Sequence, residues 1–224
     1  MKILYLLLGI LWFFLFEAFS FFFGHKALIK KEGKVSPLRY FPNEYLGSKN
    51  SNFSFLSFLV GILPSFLPLA ILMNSLEIID ASFRGYLIFG EMSLLFFLVS
   101  FCCLINVSPS NEKLHFGLYL ASGLLLMVCF LSSALCFLAV CSRSANESAI
   151  RILTYLLMTL SALAIPLLAD PKLRKWYELE AFSNPDGSVS YRRPRILRLA
   201  FYEWLLFLLF SFGFLFFSVL AILF

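Results

Sequence analysis

Long apolar runs separated by shorter polar stretches dominate this chain. A helix needs about 20 mostly apolar residues to cross a membrane, and six runs come close to or exceed that length. They cover residues 3–23, 53–73, 85–107, 114–141, 152–169 and 201–224. The pattern predicts an all-α fold, a polytopic membrane helix bundle with six transmembrane helices that forms a single transmembrane domain over residues 1–224.

Two prolines interrupt the second run. Pro64 and Pro68 lie four residues apart within it, and each removes a backbone hydrogen bond from a helix. Such prolines are tolerated in a membrane when neighbouring helices or hydroxyl groups satisfy the freed carbonyls. We therefore expect a kink at this point in the second span.

The composition supports the same class. Hydrophobic residues make up 61% of the chain and charged residues only 14%, whereas soluble domains carry roughly a quarter charged residues. The chain is therefore predicted to be an integral, multi-pass membrane protein. The five cysteines lie within the apolar runs or at their ends and form no CxxC pair, so no redox role, zinc site or cofactor is predicted.

The basic residues lie mostly on one side of the predicted bundle. We use "side A" for the side that carries the connections 24–52, 108–113 and 170–200, which hold fourteen of the eighteen lysines and arginines. The positive-inside rule places side A in the cytoplasm and both chain ends outside. The stretch YRRPRILR indicates contact with anionic lipid headgroups, through Arg192, Arg193, Arg195 and Arg198. A plain topology signal is an equal alternative, and no nucleic-acid partner is predicted.

Ionisable residues within the apolar runs are candidates for function because burying a charge in a bilayer is costly. Glu17, His115 and Glu203 all lie towards side A and form, with Trp204, a candidate polar cluster for binding. Such a cluster suits a cation, a proton relay or a lipid headgroup. Glu91 lies near the opposite end of the third run, so it is a separate intramembrane carboxylate that we expect to face the bundle interior.

Two further considerations limit the chemistry of this cluster. An interfacial Glu203 that keeps its water, beside the aromatic belt residue Trp204, is the alternative to a functional site. His25 and His115 are the only histidines, which excludes a three-histidine metal site, and no metal is assigned. No GxSxG, HExxH or Walker pattern occurs, so catalytic residues stay unknown and an enzyme is not favoured.

Four stretches resemble the DRAM/FRAG/SFK group of six-span membrane proteins. They are GYLIFGEMSLLFFLVSF, SPSNEKLHFGLYLASGLLLM, TLSALAIPLL and YEWLLFLLFSFGFLFFS, which together cover about a third of the chain. The resemblance implies that Glu91, His115 and Glu203 are recurrent polar positions and that Glu203 pairs with His115. It also implies long loops on the lumenal or outer side, in disagreement with the charge count, so the orientation stays open.

Three functions remain. The leading hypothesis is a lipid-handling, accessory or scaffold role without catalysis, with membrane lipids as partners and a lipid-anchored or other membrane protein as a further candidate. It predicts a lateral apolar groove near side A. The alternative is a small-solute or ion transporter, which predicts one polar path through Glu17, Glu91, Glu203 and His115. A lipid-remodelling enzyme is the third.

Overall fold

Six long helices build the protein. The computed structural model describes residues 2–33, 35–79, 83–175, 180–183, 188–194 and 196–224. Within these ranges, six helical segments are long and apolar enough to cross a membrane, judged by length and composition. They are Lys2–Glu32, Asn52–Ser75, Arg84–Leu104, Glu112–Val140, Glu147–Ala169 and Arg198–Leu223. The predicted all-α six-helix membrane bundle is thereby confirmed.

The helices are numbered along the chain. The α-helices are α1 Lys2–Glu32, α2 Pro42–Leu46, α3 Asn52–Ile62, α4 Leu67–Ile79, α5 Arg84–Leu104, α6 Glu112–Val140, α7 Glu147–Ala169 and α8 Arg198–Leu223. Short 3-10 turns lie at Pro37–Arg39, Leu63–Phe66, Cys141–Arg143 and Pro171–Lys175. The second membrane span thus consists of two helices, α3 and α4, joined by the turn at Leu63–Phe66.

Helix α1 is longer than its apolar run. It continues past residue 23 to Glu32 because the residues that follow are mostly good helix formers such as lysine and alanine. Gly33 then ends it, with φ 77° and an amide that donates to the Ile29 carbonyl at 2.9 Å. A left-handed glycine with this bond is a common helix C-terminal motif. The end of α1 therefore extends beyond the predicted span on side A.

The proline pair breaks the second span as expected. Pro64 has no amide hydrogen for the Val60 carbonyl, and Trp12 of α1 donates its indole Nε1–H to that oxygen at 3.0 Å. The Pro64 carbonyl, which Pro68 leaves without its helical donor, accepts instead from the Leu67 amide in a 3-10 bond. A neighbouring helix and a tighter turn therefore satisfy the carbonyls that the prolines free.

One face of α1 packs against α3. Its buried residues recur every three or four positions: Leu6, Gly9, Phe13, Glu17, Ser20, Gly24 and Leu28. Ser20 and Ser54 lock the two helices together, since each hydroxyl donates to the other's backbone carbonyl at 2.7 Å. Gly24 lies where a Cβ atom would collide with the Tyr45 carbonyl. The close approach of α1 to α3 and α2 therefore depends on small residues.

A two-stranded antiparallel sheet lies in the connection between α7 and α8. Strands β1 Glu180–Ser183 and β2 Val189–Arg192 pair with Glu180 opposite Arg192. No strand is predicted here from the sequence. These strands are only four residues long, which is too short for period-two patterning to stand out in a basic loop.

Candidate functional site

His115 and Glu203 meet inside the side A end of the bundle. His115 lies in the first turn of α6 and Glu203 in the second turn of α8, and both helices begin on side A. The two residues therefore reach the same depth although 88 positions separate them in the chain. His115 Nε2 lies 2.8 Å from Glu203 Oε1, and both side chains are 0% exposed. The predicted pairing of these two residues is present in the structure.

The second ring nitrogen of His115 determines where the protons lie. His115 Nδ1 is 3.1 Å from the Val107 carbonyl oxygen. A carbonyl only accepts, so Nδ1 carries a hydrogen, and the short contact between Nε2 and Oε1 needs one further proton. Whichever of the two atoms holds that proton, the pair has no net charge. This neutrality lowers the cost of burying the two groups.

A segment of the first long connection covers the pair. The ring of Phe41 meets the His115 imidazole edge-on, with centroids 5.2 Å apart. Trp204 Nε1 donates to the Tyr40 carbonyl at 3.0 Å, and the Leu197 amide donates to the Leu38 carbonyl at 2.9 Å. We use "side A cap" for residues 38–46 together with Arg193. The cap closes the mouth of the bundle above the pair.

Arg193, in the connection between α7 and α8, binds the other residues of the cap. Its guanidinium forms two hydrogen bonds with the Glu44 carboxylate, at 2.6 and 2.8 Å, and lies over the Tyr40 ring with 4.8 Å to the centroid. The hydrogen bond to Glu44 raises the pKa of Arg193. Glu44 also accepts from the Phe41 amide at 2.8 Å at the start of α2. This ion pair joins residues that are 149 positions apart in the chain, and it thus holds the two long side A connections together.

A polar cavity lies beside the cap. We use "interfacial cavity" for this space of about 250 Å³, which the end of α1, the segment 43–50 and the α5–α6 turn enclose. Asn43 lines it and donates its Nδ2 to the Val107 carbonyl at 3.0 Å. That oxygen is also the acceptor for His115. One carbonyl therefore connects the cavity wall to the buried pair.

Glu17 does not join the pair. It lies in the α1–α3 interface, where its carboxylate is the nearest group to a Cβ built on Gly61. It is 8% exposed, and neither of its oxygens has a hydrogen-bond partner among the described residues. The structure therefore brings together His115, Glu203 and Trp204 of the predicted cluster, and leaves Glu17 in a different helix interface.

Glu91 lies at the edge of the bundle. It is half-buried and lines an open lateral groove with Phe66, Ile88, Met92 and Leu95. The groove is on the side of α5 that carries exposed apolar residues. The interior orientation expected for Glu91 is therefore met only in part, since the same residue borders the lipid-facing surface.

The four arginines predicted to contact headgroups have different surroundings. Arg193 is paired with Glu44 in the cap. Arg198 is about half-exposed and lies 3.9 Å from an Asp170 oxygen. Arg192 belongs to strand β2, and its side chain lies outside the described part of the chain, as does the whole of Arg195.

The arrangement permits little direct chemistry at the pair. Both side chains are fully buried under the cap, so a substrate would have to displace Phe41 to reach them. In the described part of the chain, no three histidine, cysteine, aspartate or glutamate residues lie close enough to hold a metal ion. The geometry fits a role in holding the side A end of the bundle in one conformation.

Several residues of this region were not predicted to take part. Asn43, Glu44 and Asn50 build the cap and the cavity, although the sequence pattern marks them only as loop residues. The stretch FPNE carried a usable signal, because proline at the first helical position and glutamate at the third mark a helix start. The partner Arg193 had no such signal, since it lies 149 residues away.

Comparison with protein-family models, with curated proteins and with solved structures finds no match to this chain. The fold and the site therefore support a general conclusion: the chain has the features of a multi-pass integral membrane protein.

Proposed function

We propose that this protein handles membrane lipids without catalysis of its own, holding acyl chains in lateral grooves of the bundle. The observation that carries the proposal is a pair of open apolar grooves on either side of the proline break. One groove of about 410 Å³ is lined by Leu8, Gly9, Trp12, Leu63, Pro64 and Leu67. The other, of about 320 Å³, is the groove that Glu91 borders.

The proline break provides the space for both grooves. The 3-10 turn interrupts the α-helix of the second span, and its residues line both grooves, Leu63 and Pro64 the first and Phe66 the second. Gly9 contributes no side chain to the first groove, and a Cβ built there would be 3.5 Å from Pro64. Apolar walls open to the surface of a membrane helix bundle suit an acyl chain, which gains dispersion contacts there.

The position of the grooves differs from the expectation. The first half of α1 lines one groove and the first half of α5 lines the other, and both of these halves lie away from side A. The space near side A is the polar interfacial cavity. A lipid in either groove therefore has its headgroup towards the other membrane face. Membership of the DRAM/FRAG/SFK group and a lipid-anchored or membrane protein as partner belong to the same proposal, because that group includes proteins of GPI-anchor lipid remodelling.

Photo-crosslinking tests the proposal. A phospholipid with a diazirine in its acyl chain is expected to label peptides that contain residues 8–12, 63–67 and 88–95 in the reconstituted protein. Gly9→Phe fills the first groove and should remove the label from residues 8–12. Gly117→Phe is the matched control, because Gly117 is exposed on α6 with nothing within 4 Å of a Cβ built there. Uniform labelling along all lipid-facing helices would contradict the proposal.

A small-solute or ion transporter is the second candidate, and the observation that favours it is Glu17. Both of its carboxylate oxygens are buried in the α1–α3 interface without a partner among the described residues, as for a group that takes up a cation or a proton. A flux of cations or small solutes into proteoliposomes that is present with the wild type and abolished by Glu17→Gln would support transport. Equal flux with empty liposomes would remove this candidate.

A further inference from the structure

The interfacial cavity combines features that the lipid grooves lack. Residues of two side A connections and of the helix ends beside them form it, so it lies at the ends of the membrane helices, where lipid headgroups begin. Its lining includes Lys31 and Lys49, and both residues are exposed. Neither of the two grooves contains a basic residue. The cavity therefore has a different ligand chemistry from the grooves.

The charge of the cavity favours an anion. Its lining contains two lysines and two glutamates, Glu32 and Glu44. Glu44 already forms two hydrogen bonds with Arg193, so its charge is balanced from outside the cavity. The two lysines then face one remaining carboxylate, Glu32, which leaves an excess of one positive charge. Lysine binds phosphate as a point charge.

Two asparagines in the lining add a second requirement, that the ligand carries hydrogen-bond donors. Asn43 and Asn50 line the cavity, and each donates its Nδ2 to backbone carbonyls, Asn43 to Val107 at 3.0 Å and Asn50 to Gly24 at 3.0 Å. These bonds fix the orientation of both amides, since a flipped amide would place oxygen against oxygen. The Oδ1 atoms are buried and have no hydrogen-bond partner among the described residues. Each is an oriented acceptor that a donor on a ligand would satisfy.

We propose that the interfacial cavity binds a phosphate ester that also carries free hydroxyl groups. The phosphate would contact Lys31 and Lys49, and the hydroxyls would donate to Asn43 Oδ1 and Asn50 Oδ1. A glycerol or inositol phosphate headgroup has this chemistry, and so does a soluble sugar phosphate. The site goes beyond the proposed lipid grooves and does not depend on them, because it lies at the other end of the bundle.

A lipid series of constant charge tests the hydroxyl requirement. Phosphatidylinositol, phosphatidylglycerol and phosphatidylmethanol each carry one negative charge on a phosphodiester, and only the first two have headgroup hydroxyls. In nanodiscs of phosphatidylcholine, the wild-type protein should bind the first two about tenfold more tightly than phosphatidylmethanol, a ratio equivalent to ~1.4 kcal/mol. Equal affinity for all three would overturn the proposal, since charge alone would then explain binding.

Matched lysine variants test the location. Lys31→Gln and Lys49→Gln should each weaken phosphatidylinositol binding at least about tenfold, since ~1.4 kcal/mol is close to the lower limit for one hydrogen bond to a charged group. Lys30→Gln is the control, because Lys30 is the adjacent lysine on α1, is exposed and does not line the cavity. All three are surface substitutions that the fold should tolerate. Equal losses in all three variants would place binding on the general basic surface and contradict the proposal.

Soluble competitors identify the source of the phosphate. If inositol 1-phosphate or glycerol 1-phosphate displaces the lipid at concentrations close to its own affinity, the natural ligand is a free phosphate ester. If neither competes, the ligand is a lipid headgroup held partly by its membrane. Both results support the site, provided that Lys31→Gln and Lys49→Gln weaken binding. The groove variant Gly9→Phe should leave every one of these affinities unchanged, so failure of this site and failure of the lipid grooves are distinguishable.

Discussion

At the scale of single residues, the side A end depends on two side chains that share one proton. His115 and Glu203 are 2.8 Å apart and fully buried, and the Val107 carbonyl fixes the hydrogen on the second ring nitrogen. Removing either partner leaves the other as an uncompensated polar or charged group inside the bundle. The pair should therefore behave as a unit when it is mutated.

A double-mutant cycle measures the coupling energy between His115 and Glu203. His115→Ala and Glu203→Ala should each lower the free energy of unfolding in detergent, by about 3–5 kcal/mol for a broken buried pair. The double variant should lose clearly less than the sum, because the second substitution removes a group that the first has already orphaned. Additive losses would show that the two residues stabilise the bundle independently.

Asp170 gives the side A surface a pH dependence of defined sign. The Tyr202 hydroxyl donates to it at 2.7 Å and the Lys172 amide at 2.9 Å, and the pKa of Asp170 lies below its ordinary value, chiefly through the bond from Tyr202. A lowered folded-state pKa means that the ionised carboxylate stabilises the fold above the unfolded value of about 3.9. That contribution is lost as the pH falls through the folded-state value.

Thermal melting of Asp170→Asn should show this dependence. We expect the variant to melt below the wild type at pH 7 and the difference to shrink as the pH falls below about 4. Tyr202→Phe should produce a similar loss at pH 7, and adding it to Asp170→Asn should cost little more. A melting difference that stays constant down to pH 3 would contradict the assigned role of the carboxylate.

At the scale of helices, the bend in the second span relies on help from α1. The Val60 carbonyl loses its helical donor because of Pro64, and Trp12 supplies a replacement at 3.0 Å. Trp12→Phe keeps an aromatic ring at the same place and removes the indole N–H together with the five-membered ring that carries it. The variant should lose about 1 kcal/mol of unfolding free energy, the typical net value of one hydrogen bond.

Restoring the amide of residue 64 provides the control. Pro64→Ala supplies a backbone N–H that can reach the Val60 carbonyl within the helix. In that background Trp12→Phe should cost less than in the wild type, because the carbonyl has regained a donor of its own. The same cost in both backgrounds would show that Trp12 acts through ring packing, against Phe16 for example, 4.6 Å away between centroids.

The sequence predicted these helices better than the structures that join them. Apolar length alone located all six spans, and the four-residue spacing of Pro64 and Pro68 located the bend. The common side of His115 and Glu203 predicted a polar cluster that contains both, and the family resemblance implied that the two residues pair. In contrast, Glu17 shares that side, yet it faces Gly61 of α3. Which helices are neighbours depends on packing between distant segments, and depth does not determine it.

The cap was not predictable for the same reason. Its polar contacts join residues far apart in the chain, such as Glu44 with Arg193 and Tyr40 with Trp204. Hydrophobic periodicity contains no information about such pairs, because at least one partner of each lies in a polar connection outside the apolar runs. The orphaned oxygens of Asn43 and Asn50 are likewise visible only once the carbonyls that hold their amides are in place.

At the scale of the whole molecule, the two ends of the bundle have different tasks. The side A end is closed by the cap over a neutral buried pair and holds the polar cavity beside it. The other half is opened by the proline break into two apolar grooves. An even number of spans places the start of α1 and the end of α8 on the same membrane face, opposite the cap.

Accessibility labelling tests that topology. In intact vesicles of the protein with its native cysteines replaced, single cysteines at Ile3 and Phe224 should react with an impermeant reagent from the same side. A cysteine at exposed Lys49 should react only from the opposite side. Labelling of Ile3 and Phe224 from different sides would contradict the six-span bundle.

Native mass spectrometry of the protein extracted from membranes tests whether lipids occupy the grooves beside Pro64. The wild type and the control Gly117→Phe are expected to keep a discrete set of bound lipids under activation that strips them from Gly9→Phe, because that phenylalanine occupies the groove. Identical lipid adducts on all three proteins, or none on the wild type, would contradict the account.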